Sequence, residues 1–124
     1  TLSPCMPANR PERWALDAGD GDVAVLTIPA VLLQHRVFEI DVRFVVRNPA
    51  QDAQAWHALS VELDGKREWS RRLPTHPGTS TDSLDYHCRR ELPAGQALRI
   101  RAVTQIGPGT RRQKLVIEAE ESVD

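Results

Sequence analysis

The sequence has 124 residues, a length typical of one domain and long enough to bury about two thirds of the unfolded surface in a single core. Its 16 basic and 17 acidic residues leave a net charge of -1, which does not favour a nucleic-acid binder, because phosphate binding needs a net or clustered positive field. No stretch approaches the roughly 20 apolar residues that cross a bilayer, so membrane insertion is not expected.

The N-terminal segment is rich in proline, at positions 4, 7 and 11. Each proline lacks a backbone donor and fixes its own φ, so residues 1–12 are predicted to form an extended arm. Since the chain opens at Thr1 without an initiator methionine, we expect that a segment before it has been removed. Cys5 and Cys88 are too far apart for a CxxC redox or zinc motif. We predict a disulfide between them and a secreted or periplasmic location, the alternative being two buried thiols in a cytosolic protein.

The pattern of the first half of the chain predicts strands of increasing length. Residues 13–16 predict a short strand, and residues 23–28 an almost continuous apolar strand that ends at Pro29. A helical turn is allowed over residues 30–34. Residues 36–47 then alternate, with apolar side chains at every even position from Phe38 to Val46. This period of two predicts a long central strand with one buried face, around which the rest of the chain is organised.

The second half continues the alternation between turns with strong local signals. Two strands over residues 57–63 and 66–73 flank Asp64-Gly65, a typical hairpin turn. Residues 74–83 have the composition of a long exposed loop. Further strands are predicted over residues 84–92, 97–106 and 112–120, separated by turns rich in proline and glycine.

The tally is about eight short strands and no convincing helix, which predicts an all-β fold: an antiparallel β-sandwich or jelly roll. We expect a single domain over residues 13–121 and a frayed C-terminus at residues 122–124.

The position of Trp69 depends on the register of the hairpin. A two-residue loop at Asp64-Gly65 places Ser60 opposite Trp69 and turns the indole to solvent. A turn at Leu63-Asp64 with Gly65 as a bulge places Leu59 opposite Trp69 and buries it. We favour burial, because that register matches apolar with apolar and unlike charges with each other.

Catalytic motifs are absent from the sequence. No GxSxG elbow, glycine-rich phosphate loop or HExxH motif occurs. The nearest approach to a metal or acid/base pair is Asp85-x-His87, which shares one strand face, with His76 and Asp82 nearby. We regard these residues as solvated surface and expect neither a metal site nor a cofactor.

Function is therefore inferred from the few aromatic and polar residues on loops and strand faces. The strand, Asp-Gly turn, strand and Leu-Pro-Ala-Gly turn layout is similar to that of accessory jelly-roll modules attached to carbohydrate-active proteins. A tryptophan with polar neighbours suits a sugar, which has an apolar face and a polar rim. We predict a non-catalytic, secreted or periplasmic binding module, with carbohydrate as the ligand class and with these candidate ligand-binding residues: Trp56, His57, Trp69, Arg71, Asp85 and His87.

Two alternatives remain open at this point. One is a protein-interaction or structural subunit of a cell-envelope or surface assembly that uses exposed strand edges. The other is an enzyme that uses Asp85 and His87. The sequence leaves the identity of the glycan or protein partner, the oligomeric state and the strand order open.

Overall fold

The structure, a computed structural model, describes residues 11–122, without the side chain of Thr79. It contains eight strands: β1 (Arg13–Asp17), β2 (Val23–Ile28), β3 (Arg36–Asn48), β4 (Trp56–Leu63), β5 (Lys66–Pro74), β6 (Gly78–Leu92), β7 (Leu98–Ile106) and β8 (Arg111–Glu121). No helix interrupts them within the described range. The predicted all-β fold is confirmed.

The strands form two four-stranded antiparallel sheets. Sheet A has the order β1-β8-β3-β6 and sheet B the order β2-β7-β4-β5. Neighbours in each sheet are distant in sequence except for the β4-β5 hairpin, the connectivity of an eight-stranded jelly roll. The central strand predicted from the alternation is β3, which pairs with both β6 and β8.

The core lies between the sheets and is made by alternate residues of the central strands. Phe38, Ile40 and Phe44 of β3 are fully buried, and they face Leu59 and Val61 of β4. Because successive side chains of a strand point to opposite faces, the other half of each strand forms the two outer faces. These outer faces, together with the edge strands, are the surfaces available for binding.

Two local predictions need correction. The long loop predicted over residues 74–83 is wrong in its second half, since β6 begins at Gly78 and its first residues pair with the end of β3. A long neighbouring strand extends the ladder and overrides turn-like composition there. Residues 30–34 form an irregular segment with a turn at Leu32 and Leu33 and not a helical turn.

The two ends of the sandwich hold different buried polar groups. At one end Arg36, with a fully buried side chain, pairs with Glu12, its Nη1 donating to both carboxylate oxygens at 2.8 and 2.9 Å. Its Nη2 donates to the carbonyl of Pro29 at 2.8 Å. At the other end the buried polar residues carry no paired charge: Asn48, His57, Thr75 and Thr110.

Candidate functional site

The six side chains proposed as ligand-binding residues lie in separate places. Trp56 is on the outer face of sheet B, at the start of β4, whereas the next residue, His57, is fully buried in the core. Trp69 and Arg71 lie on the edge strand β5. Asp85 and His87 lie on the outer face of sheet A. The structure therefore offers several surfaces to compare and not one pocket shared by all six residues.

Trp69 is turned inward by a feature that neither sequence alternative contains. Asp64 and Gly65 both have positive φ, 52° and 84°, so the turn is the two-residue loop and Leu63 faces Lys66. The register then shifts so that Val61 faces Trp69 and Glu62 faces Arg67, which leaves Glu68 as a bulge. The bulge restores the indole to the inner side, as the favoured alternative expected, although the register proposed for it is wrong.

Trp69 is engaged by the opposite sheet. Its ring stacks on Tyr86 of β6 with centroids 4.9 Å apart and planes 26° apart. Next to this stack, Glu68 pairs with Arg90 at 2.7 Å. These contacts close the side of the sandwich between β5 and β6, so Trp69 does not form a solvent-facing platform.

Trp56, in contrast, keeps a partly exposed indole at the mouth of a depression of about 390 Å³ lined by residues 53–56 and 72–74. We call this depression the Trp56 cleft. The guanidinium carbon of Arg72 lies 3.8 Å from the centroid of the indole, a cation–π contact. On the β7 side the indole lies so close to Gly107 that a β-carbon there would overlap its five-membered ring. The indole is therefore flanked by Arg72 from β5 and by Gly107 at the end of β7.

The loop that forms the rim of the Trp56 cleft is held from below by Asn48. The buried Asn48 amide donates to the Asp52 carbonyl at 2.9 Å and accepts from the Asp52 N–H at 3.0 Å. The Thr75 N–H donates to the Ala55 carbonyl at 2.9 Å. Since both ends of the loop are anchored, the cleft is preformed.

The backbone of Trp56 is the last acceptor in a buried chain of hydrogen bonds. Thr110 Oγ1 donates to the Trp56 carbonyl at 3.0 Å, so its single proton is used. Thr75 Oγ1, 2.9 Å away, must then donate to Thr110 Oγ1. His57 Nδ1, 2.8 Å from Thr75 Oγ1, is left as the donor to that hydroxyl.

This proton count assigns the tautomer of His57. The ring carries its proton on Nδ1, and Nε2 is a bare acceptor that is buried without a hydrogen-bond partner in the described part of the chain. The Phe44 ring packs edge-on, with centroids 6.2 Å apart. Burial lowers the pKa of His57 below its ordinary 6.5, although the Asp82 carboxylate acts in the opposite direction. His57 is thus a neutral structural residue beneath the cleft and does not face a ligand.

His87 has the opposite environment on the outer face of sheet A. Its Nδ1 and Nε2 lie 2.8 Å from Asp41 Oδ1 and from Glu39 Oε1. Since carboxylates accept, both ring nitrogens donate and the imidazole is cationic. Hydrogen bonding to Asp41, with smaller contributions from its charge and from Glu39, raises the pKa of His87 above 6.5.

The same face has a depression of about 510 Å³ whose lining includes Asp85 and His87. Asp85 accepts from Ser83 Oγ at 3.1 Å and pairs with Arg43 at 3.6 Å. His87 and Asp85 thus have different partners and do not form an acid/base dyad. Within residues 11–122, moreover, no group of three or more His, Cys, Asp or Glu side chains is arranged to hold a metal ion.

Cys88 carries a free, half-buried thiol on β6. Burial raises the pKa of this thiol above its ordinary value. Its predicted disulfide partner, Cys5, lies outside the described residues, as do residues 1–10 of the predicted arm and residues 123–124.

Sequence reasoning identified Trp56 but missed what surrounds it: Arg72, Gly107, Asn48, Thr75 and Thr110. Arg72 is one of several arginines on β5, and nothing local distinguishes it from Arg71. The one sequence feature that could have singled out Arg72 is the alternation of β5, because it places Arg72 on the same outer face of sheet B as Trp56.

Comparisons with known proteins support the fold and nothing finer. No family model matches the chain, and no curated protein matches it. A part of the dimeric latent PorU from Porphyromonas gingivalis is similar, with a TM-score of 0.55, 14% identity, and coverage of 90% of this chain and 11% of that chain. The chain therefore spans a small part of PorU.

Two further structures are more distant. The Eiger TNF from S. frugiperda has a TM-score of 0.44 and 10% identity, covering 90% of this chain and 92% of that one. The VP2 subviral particle of infectious bursal disease virus has a TM-score of 0.45 and 12% identity, covering 90% and 32%. Residues 11–122 contain no helix long and apolar enough to cross a membrane.

Proposed function

We propose that this domain is a non-catalytic binding module and that it binds carbohydrate at the Trp56 cleft. The observation that carries the proposal is a partly exposed indole beside a guanidinium in a preformed depression. Sugars offer an apolar face for an aromatic ring and hydroxyl groups for planar hydrogen-bonding side chains. At about 390 Å³ the cleft lies within the usual range of small-ligand sites.

Three residues of the cleft contact the ligand in this proposal. Trp56 supplies apolar contact, the Arg72 guanidinium supplies hydrogen-bond donors, and the Gln54 amide supplies both a donor and an acceptor. Arg72 rests on the indole, so a ligand stacks beside the guanidinium or displaces it. Displacement costs about 0.5–1 kcal/mol, the usual value of an exposed cation–π contact.

The chemistry of the cleft supports binding over catalysis. Its lining residues, 53–56 and 72–74, include no carboxylate, imidazole, thiol or hydroxyl group that could act as an acid, base or nucleophile. On the outer face of sheet A, away from the cleft, His87 is paired with Glu39 and Asp41, and Asp85 with Arg43. Glycoside hydrolysis needs two carboxyl groups beside the sugar, and this cleft has none.

A secreted or periplasmic location and a Cys5–Cys88 disulfide belong to the same proposal. Cys88 is half-buried, so part of the residue is exposed to solvent. Intact-mass analysis after thiol alkylation, with and without reduction, tests this point: a disulfide blocks both alkylations until reductant is added.

Binding is tested by calorimetry against a panel of soluble glycans. We expect at least one glycan to bind wild type and Trp56→Ala to weaken that binding at least about tenfold, equivalent to about 1.4 kcal/mol. Arg72→Ala is expected to weaken it less. Arg71→Ala is the matched control, because the neighbouring arginine points to the other side of β5 and leaves the cleft intact. Equal losses in both arginine variants would contradict the proposed site.

A second candidate function, a subunit of a cell-envelope or surface assembly, is favoured by one specific observation. Strand β2, at the edge of sheet B, carries no charged residue. Such an edge is open to pairing with another strand.

A further inference from the structure

The two edges of sheet B differ in composition. On β5 the edge carries Lys66, Arg67, Glu68, Arg71 and Arg72, and the Glu68 bulge breaks its ladder. Charges and bulges are the usual protection of an edge strand against pairing with another chain. The opposite edge, β2, reads Val-Ala-Val-Leu-Thr-Ile and has neither.

Strand β2 is also exceptional among the edge strands of the described residues. The other three, β1, β5 and β6, each contain at least two charged residues, whereas β2 contains none. Val23 and Val25 are 37% and 38% exposed on its outer face. The loop that follows continues the apolar surface with Leu32 and Leu33, which are 78% and 97% exposed.

The ladder between β2 and β7 shows which backbone groups of β2 face outward. Thr104 N–H donates to the Asp22 carbonyl at 2.8 Å, immediately before β2 begins. Bonded and non-bonded pairs alternate along an antiparallel ladder, so Ala24, Leu26 and Ile28 bond β7. The N–H and C=O groups of Val23, Val25 and Thr27 therefore point to the free edge of the sheet.

We propose that this edge pairs with the same edge of a second copy of the chain, as an antiparallel β2–β2 ladder centred on Val25. In that register the three outward residues of one copy meet the three of the other, Val23 opposite Thr27, Val25 opposite Val25 and Thr27 opposite Val23. Directly opposite residues share a face, so each pair joins uncharged β-branched side chains. A two-fold axis at Val25 makes the interface self-complementary and closed.

The composition of the edge favours a second copy as the occupant. An occupant must offer an edge strand without charges opposite Val23, Val25 and Thr27, and β2 is the edge strand of the described residues that meets this condition. In the two-fold register, Val23 of one copy lies opposite Thr27 of the other, so no charged side chain of β2 faces the pairing strand.

The dimer is expected to depend on concentration, because six paired residues per copy make a small interface. Sedimentation equilibrium should show a mass that rises from 13.9 kDa towards twice that value. Val25→Lys should keep the chain monomeric, since it places two cations opposite each other on the axis. Val25→Pro should do the same while sparing the fold, because the lost N–H points away from β7. Val116→Lys, at a half-buried outward valine of the central strand β8, is the matched control and should still dimerise.

Hydrogen exchange tests the register itself. Raising the concentration should slow exchange of the amides of Val23, Val25 and Thr27 and leave Ala24 and Leu26 unchanged. A chain that is monomeric at millimolar concentration would overturn the proposal. Protection of the same amides by an added peptide of another sequence would not rescue it, because the edge would then bind a different partner. A dimer that survives both Val25→Lys and Val25→Pro would overturn it too, because the interface would then lie elsewhere.

Discussion

The two ends of the sandwich bury polar groups in opposite ways. One end buries a charge: the Arg36 side chain is 0% exposed and is neutralised by Glu12, which also accepts from the Trp14 indole at 3.1 Å. The other end buries the neutral chain from His57 to the Trp56 carbonyl. Both ends leave buried nitrogens without a partner in the described part of the chain: Arg36 Nε at the charged end, and Arg47 Nε and His57 Nε2 at the other.

The difference shows what each arrangement contributes. A buried ion pair depends on both of its members, since removal of one leaves an uncompensated charge. At the charged end, the Glu12–Arg36 pair joins the residue before β1 to the start of the central strand β3. A neutral network contributes less to stability per bond, but it fixes backbone geometry and is sensitive to protonation. The neutral end is the one that carries the Trp56 cleft.

Breaking the charged end should have the largest effect. Glu12→Ala is expected to destabilise the fold by about 3 kcal/mol, the lower end for a broken buried pair, because the Glu12 side chain is 27% exposed. Urea denaturation measures this loss. The double variant Glu12→Leu with Arg36→Met is the control and should recover much of it, since no buried charge remains. A loss below about 1 kcal/mol in Glu12→Ala would mean that Arg36 is solvated.

Breaking the neutral end should cost less. Thr75→Val removes the acceptor of the His57 Nδ1 proton and the donor to Thr110, with an expected loss of about 1–3 kcal/mol for unsatisfied buried groups. Thr75→Ser keeps the hydroxyl and should cost clearly less in the same urea measurement. Equal losses in the two variants would indicate that the methyl group and not the network matters.

The smallest expected effect is the response to pH, and here two histidines differ in sign. The pKa of His57 is lowered on folding, so its contribution to stability is present above about 6.5 and is lost as pH falls. The pKa of His87 is raised, so its contribution is present below about 6.5 and is lost as pH rises.

Urea midpoints between pH 7.5 and 5.5 distinguish these contributions. Wild type should lose stability on acidification, because the buried His57 outweighs the exposed His87. His57→Asn should flatten the profile and His87→Gln should steepen it slightly. A profile unchanged by His57→Asn would contradict the assignment of a neutral, buried imidazole.

Much of the fold followed from the alternation of side chains, and the failures have physical causes. Alternation over residues 36–47 identified the central strand, because a strand between two neighbours must bury one whole face. The loop predicted over residues 74–83 rested on composition and failed at Gly78–Ser83, where pairing with the end of β3 prevailed. Alternation counted from the hairpin turn failed at Glu68, since a bulge adds one residue and reverses every face beyond it.

The candidate site was less predictable than the fold. Trp56 could be proposed from residue type, but Arg72 and Gly107 reach it from other strands, and sequence gives no distance between strands. Arg36 shows the same limit. It begins the central strand as one arginine among many, and burial against Glu12 is a tertiary event that no local pattern signals.

Iodide quenching of tryptophan fluorescence, followed by titration with the glycan panel, tests the central claim most directly. Trp69 is stacked on Tyr86, and Trp14 lies beside Glu12 at the opposite end of the sandwich, so we expect Trp56 to supply the part of the quenchable fraction that a glycan protects. That protection should be absent in Trp56→Phe and retained in Arg71→Ala. If no glycan protects an indole, or if protection persists in Trp56→Phe, the Trp56 cleft is not a carbohydrate site.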